Sequence, residues 1–190
     1  MEKTQTGFTL TEVLMVVAIV AIMLSIGLPS YKYITNAYRM SAEINSLVGD
    51  LMYARAEAIK EGQPVALCVS SDGQTCSGAT TWASGWVVFP DPTGGGSADV
   101  PGSILHVQAA FTGATPDTFN PSNPISSIIF NREGFAVGSP NAAAVFGATQ
   151  FTLHDPTANA NWTRCLFINA QGMIQTDTAK NPTAGLAACN

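Results

Sequence analysis

Two histidines, four cysteines and one carboxylate at the edge of an apolar run are the residues whose types and spacing invite a chemical reading. His106 and His154 sit in no nucleophile or metal motif. His154 is followed by Asp155, and neighbours on a strand point to opposite faces, so the two cannot orient each other directly. Both histidines are expected to be ordinary surface or strand-end residues, and no enzyme site is expected. Gly94-Gly95-Gly96 lacks the Lys-Ser/Thr and the following helix of a phosphate loop, and reads as a flexible turn. Cys68, Cys76, Cys165 and Cys189 match no zinc-finger spacing, and the histidines are remote from them in sequence. No metal and no cofactor is therefore expected. As disulfides the four cysteines allow three pairings, among which the sequence alone does not choose.

The carboxylate is Glu12. Behind it, Val13 to Leu28 reads VLMVVAIVAIMLSIGL, without a charge. A membrane-spanning helix needs about 20 apolar residues, and extending the run back to Phe8 supplies that length. A cleavable secretory signal would carry a basic leader and an A-x-A-like site. Here the leader MEKTQTG holds one acid and one base, and the run ends in IGLPSYKY. A carboxylate at the edge of a membrane helix costs about 2–3 kcal/mol and usually has a partner. Either Glu12 snorkels to water, or it meets a positive charge supplied by another subunit.

Gly7-Phe8-Thr9-Leu10-Thr11-Glu12, followed at once by the apolar run, resembles the class III signal of type IV prepilins and type II secretion pseudopilins. The resemblance implies that a membrane prepilin peptidase cuts after Gly7 and methylates the new amino-terminus at Phe8. It also implies that Glu12 pairs with the N-terminal amine of a neighbouring subunit during assembly. Pro29 falls where many pilins carry a helix-loosening proline. Its missing N–H and its ring weaken the preceding turn, and Gly27 adds to this.

The elements that must position these residues follow from period and composition. After Pro29 the helix is expected to resume. Ile34, Ala37/Tyr38, Ile44, Leu47/Val48, Leu51 and Ala58/Ile59 form one apolar stripe to about Glu61, which packs on a sheet. Gly62 and Pro64 end it. Beyond, strands are expected at Val65–Val69, Trp86–Phe89, Ile104–Val107, Ile125–Phe130, Gln150–Leu153 and Arg164–Ile168. Turn clusters at 91–96, 120–124 and 155–157 separate them, and Asn131-Arg132-Glu133-Gly134 reads as a hairpin turn into Phe135-Ala136-Val137. The segment Ala109 to Pro124 reads as an exposed loop. The fold class is therefore α+β, the type IV pilin fold by resemblance: a long N-terminal helix on antiparallel sheet. Its expected divisions are leader 1–7, transmembrane and filament-core helix 8–28, amphipathic helix 29–61 and β-rich periplasmic domain 62–190. Membrane insertion puts that domain in an oxidising compartment. The local disulfide choice is Cys68–Cys76, with Cys165–Cys189 clamping the C-terminal tail.

Residues 51–65, Gly85-Trp86-Val87-Val88-Phe89 and 164–172 are similar to the GspH/FimT group of minor pilins. Some members of that group bind DNA through a Gly-Arg-x-Arg motif. The aligned stretch here is Gly172-Met173-Ile174-Gln175, without either arginine. Only 11% of residues are charged, and from Glu61 onward three basic residues face eight acidic ones. Such a surface repels phosphate, so no DNA-binding site is expected. The resemblance implies a FimU-type minor pilin that primes or supports pilus assembly at or near the tip. The alternative is a type II secretion pseudopilin of the H type, and a second, disfavoured by the missing arginines, is a DNA-receptor pilin for natural transformation. Expected partners are the prepilin peptidase, other minor pilins, the major pilin and the inner membrane. Expected location is a single pass in the inner membrane, then the pilus at the cell surface. Ala109–Pro124 and the tail 181–190 are the candidate contact surfaces.

Overall fold

The computed structural model describes residues 7–95, 104–112, 117–138, 149–179 and 189. The chain divides into two compact units, Met1–Tyr38 and Arg39–Asn190.

One helix, α1, runs from Leu10 to Glu61. Thr9 starts it: the Glu12 N–H donates to the Thr9 carbonyl at 3.1 Å and to the Thr9 hydroxyl at 3.3 Å. A side-chain oxygen at this position satisfies a donor that no preceding turn can reach, and Thr-x-x-Glu is the sequence form of that cap. At the other end Gly62 takes a φ of 68°, and its N–H closes on the Ala58 carbonyl at 3.0 Å. The helix is unbroken through Gly27 and Pro29, where the sequence reading expects it to loosen and resume. A proline removes one i→i−4 bond, and a long helix keeps the bonds on either side.

Within the first unit, every side chain from residue 7 to residue 28 is exposed. An 18-residue window here reaches a mean hydropathy of 2.5, long and apolar enough to cross a membrane. Ile34 and Tyr38, expected in the buried stripe, are exposed as well.

The second unit begins where burial begins. Met40, Ile44, Leu47, Leu51, Ala54 and Ala58 recur at spacings of four and three and are all buried. They pack against two antiparallel sheets. The first has the order β3-β2-β1-β5-β6, from His106–Gln108, Trp86–Pro90, Val65–Val69, Ser127–Phe130 and Ala136–Gly138. The second has the order β4-β7-β8-β9, from Thr118–Pro121, Thr149–His154, Arg164–Ile168 and Ile174–Thr178. Alternation along each strand sorts the side chains. Val65, Leu67 and Val69 of β1 join the helix in the main core, while Ala66 and Cys68 join Val87, Phe89 and Ile129 in a second cluster.

The main core is rich in aromatic side chains. Trp82 lies edge-on to Phe151 with centroids 5.2 Å apart, and Phe119 lies 5.8 Å from Phe151 and 6.0 Å from Phe111. Both tryptophans of this cluster satisfy their indole N–H: Trp82 on the Ile125 carbonyl at 3.1 Å, Trp86 on the Asp50 carboxylate at 2.7 Å. Gly85 precedes Trp86 with a φ of 95°, and a Cβ there would stand 2.5 Å from the Gln108 carbonyl oxygen, so only glycine fits.

The assignment of Ala109–Pro124 to an exposed loop is corrected. Thr118–Pro121 forms edge strand β4, paired with β7, and Phe119 is fully buried. Proline is tolerated there because an edge strand has one side free of ladder bonds. Strand β9 was likewise not expected. It pairs with β8 from Arg164↔Thr178 to Ile168↔Ile174, and its side chains are mostly polar. Of the tail 181–190, only Cys189 lies among the described residues, and Gly96 lies outside them.

Candidate processing and assembly site

Because Thr9 caps α1, the first helical turn holds Glu12 at a fixed angle. Phe8, Glu12, Val13, Val16 and Val17 line one open concavity of about 250 Å³ on the helix surface. Phe8 precedes the cap, yet it lines the same concavity as Glu12 and Val16, so the residue behind the expected cut and the carboxylate lie on one side. An acidic side chain in the first turn also complements the helix dipole. The cap at Thr9 was legible, since Thr-Leu-Thr-Glu has the capping-box spacing, but the sequence reading did not use it.

A second cluster joins residues distant in sequence. Arg39 Nη2 lies 3.1 Å from Asp117 Oδ1, and the Asp117 side chain is only 1% exposed. Glu43, one turn along α1, lies close enough to Asp117 to feel its charge. Burial first, then the nearby Asp117 carboxylate and its charge, push the Glu43 carboxyl up to about 8, against the pull of Arg39. The buried pair thus favours the protonated form of Glu43 beside the Asp117 charge. Asp155 also feels the Arg39 charge. Burial pushes its carboxyl up, but the Thr157 hydroxyl, the Asn159 and Thr157 N–H groups and Arg39 together outweigh that and hold it below the usual range.

The cluster has a pH consequence. Between pH 4.5 and about 8 the folded chain holds a proton at Glu43 that the unfolded chain has lost. Stability falls with pH wherever the folded state binds more protons. This contribution is therefore complete below pH 4.5 and gone once pH passes about 8. Glu43→Gln cannot ionise. Its Tm in detergent is expected to fall less than the parent's between pH 5 and pH 9. Parallel pH profiles for the two chains would refute the raised Glu43 carboxyl.

The histidines are placed as follows. His106 Nδ1 lies 3.0 Å from Asp50 Oδ1, on the carboxylate that also accepts from Trp86. This pairing, between α1 and β3, had no counterpart in the sequence reading. His154 Nδ1 lies 3.1 Å from the Thr163 hydroxyl, while Asp155 binds Thr157 and Asn159. Among the described residues no group of three or more His, Cys, Asp or Glu side chains is arranged to hold a metal ion.

The two disulfides are Cys68–Cys76, with Cα atoms 5.5 Å apart, and Cys165–Cys189, at 5.8 Å. The short loop between the first pair is organised by Asp72. Its carboxylate accepts from the Thr75 and Gln74 N–H groups and the Thr75 and Ser70 hydroxyls, which hold it well below the usual carboxylate range.

The stretch aligned with the DNA-binding motif forms the turn into β9. Arg55 of α1 donates to the carbonyls of Gly172 at 2.9 Å and Gln171 at 3.2 Å. Gly172 has a φ of 71°, and a Cβ there would stand 2.5 Å from the Gly134 carbonyl oxygen. Arg55 thereby ties the end of the helix to the β8–β9 turn, beside the β5–β6 turn. The exposed side chains at the two motif positions are Met173 and Gln175, neither cationic. Arg164 donates to the Asn161 and Thr163 carbonyls.

Comparison with known proteins adds the following. Residues 43–172 match the protein family described as type II transport protein GspH. Residues 3–28 match the prokaryotic N-terminal methylation motif. No curated protein matches the chain. Among solved structures, the crystal structure of the type IV minor pilin FimU of Pseudomonas aeruginosa PAO1 matches with a TM-score of 0.53 and 18% identity. That match covers 85% of this chain and 98% of the other. A second crystal form of the same pilin matches with a TM-score of 0.49 and 18% identity, over 82% of this chain and 98% of that one. At this identity the first of these shows a shared fold.

Proposed function

The chain belongs to the GspH family and carries the N-terminal methylation motif, and on that premise we propose that it is a minor pilin that primes or supports type IV pilus assembly. The observation that carries the reading is the first unit. Its apolar helix is exposed through residue 28 and begins with a capped carboxylate within the methylation motif.

Prepilin peptidase cuts after Gly7 and methylates Phe8. Before assembly the chain crosses the inner membrane once, with Met1 cytoplasmic and the β-rich domain periplasmic. The span then leaves the membrane for the filament core, where neighbouring helices replace lipid around the same apolar surface. Glu12 sets the register by meeting a neighbour's free amine, which offsets the cost of a carboxylate in hydrocarbon. The partners are the other minor pilins and the major pilin, and the subunit sits at or near the tip. DNA binding is disfavoured by Met173 and Gln175 and by the acidic balance of the domain.

The test is Glu12→Ala. The variant is expected to be cut and inserted normally, while its recovery with partner pilins falls at least about tenfold, as for a lost interaction of 1.4 kcal/mol or more. Unchanged recovery would reduce Glu12 to a membrane-interface residue. A second reading, a minor pseudopilin of type II secretion, is favoured by the description of the matched family itself. It predicts that loss of the chain blocks exoprotein release and leaves pili intact.

A further inference from the structure

The apolar run of α1 is followed by a turn of a different kind. Three of the four tyrosines in the chain, Tyr31, Tyr33 and Tyr38, fall within eight residues directly after it, with Lys32 among them. Tyr31 is 68% exposed and Tyr33 47%. At 100° per residue, Tyr31, Lys32 and Tyr33 point to three different sides of the helix. A single neighbouring helix covers one stripe, whereas before assembly a headgroup layer surrounds the whole helix. Tyrosine suits that layer, with an apolar ring and a polar tip, and lysine reaches it with its stem along the apolar surface.

We infer that Tyr31, Lys32 and Tyr33 form a collar seated in the lipid headgroup layer at the far end of the span from Glu12. The inference rests on the membrane-spanning reading above and adds what fixes the depth of the span. From Leu10 to Tyr31 the helix rises about 31 Å, close to the ~30 Å of a hydrocarbon core. With the collar held in one headgroup layer, Leu10 stands at the opposite hydrocarbon boundary. Gly7 and Phe8 then lie in the other headgroup layer, where water can reach the peptide bond to be cut. The tyrosines are positioning residues for that cleavage, acting from the other side of the membrane.

The test uses the full chain in phosphatidylcholine–phosphatidylglycerol vesicles, with a nitroxide on Ser25→Cys and the native cysteines oxidised. Its depth is read from relaxation by oxygen and by a water-soluble nickel chelate. Tyr31→Ala/Tyr33→Ala is expected to shift the label by about one helical turn or broaden its depth, and to slow cleavage by prepilin peptidase at least threefold. Tyr31→Trp/Tyr33→Trp is expected to restore both. If the label stays at the same depth and cleavage is unchanged, the collar is refuted while the span stands. Unchanged depth with lower recovery of partner pilins would assign the tyrosines to a protein contact and also overturn the proposal. A label that is not membrane-buried even in the parent chain would overturn the spanning reading and the collar together.

Discussion

Substituting tryptophan for Gly7 is expected to leave essentially all of the chain as uncut precursor, seven residues longer than the mature form and held in the membrane. The reason is local and concerns recognition rather than folding. A Cβ added at Gly7 meets nothing within 4 Å in the chain, so the fold is indifferent to the new side chain. The peptidase must bind an extended backbone closely at the bond it cuts, and a bulky residue keeps that backbone away. The intact mass of the membrane fraction decides the matter. A precursor mass is expected for the variant and a methylated mature mass for the parent. Normal maturation of the tryptophan variant would refute the assignment of Gly7–Phe8 as the cut.

The second large effect lies in the domain. Phe119→Ala removes a ring that packs between Trp86, Phe111 and Phe151 with no exposure to solvent. Deleting a fully buried phenylalanine costs about 3–5 kcal/mol through lost transfer and the cavity left behind. For a chain of this size that lowers Tm by roughly 10 °C, measured from the near-ultraviolet circular dichroism of the tryptophans. Thr118→Ala, one residue away and exposed, is expected to change it little. Equal and negligible effects for the two would return this segment to the surface loop that its composition suggests.

That contrast shows where the sequence was legible. The phase of the helix stripe was readable, because Ile44, Leu47, Leu51 and Ala58 recur at the helical period. Its start was not, since Ile34 and Tyr38 continue the same pattern and yet are exposed. A period names a face, not the residue at which a sheet begins to cover it. Strands β1, β2 and β8 were visible as apolar β-rich runs. Strand β4 was hidden because Thr118, Asn120 and Pro121 are turn-forming types, and its one apolar residue draws its stability from aromatic rings far away in sequence. Strand β9 was hidden because Gln175, Thr176 and Asp177 resemble a loop until β8 supplies the ladder.

The site divides in the same way. Gly7, Phe8 and Glu12 fall within six residues that carry a motif, so a short stretch of sequence reveals them. The Arg39–Glu43–Asp117 cluster is half legible: Arg39 and Glu43 are four apart on a helix, a spacing that suggests a pair. Asp117 comes from a segment that the fold alone brings there, where it pairs with Arg39 and its charge, with burial, raises the Glu43 carboxyl. Arg55 looks like any charged residue on a helix until its carbonyl partners at 171 and 172 are in place.

If this chain helps to build a pilus, the amount of surface pili depends on it. Pili would be sheared and quantified from a strain lacking the chain, with pilus retraction disabled so that loss reports assembly. Pili are expected largely to vanish and to return when the intact gene is restored, but not when the Glu12→Ala form is supplied. Normal pili in the deletion strain would contradict it.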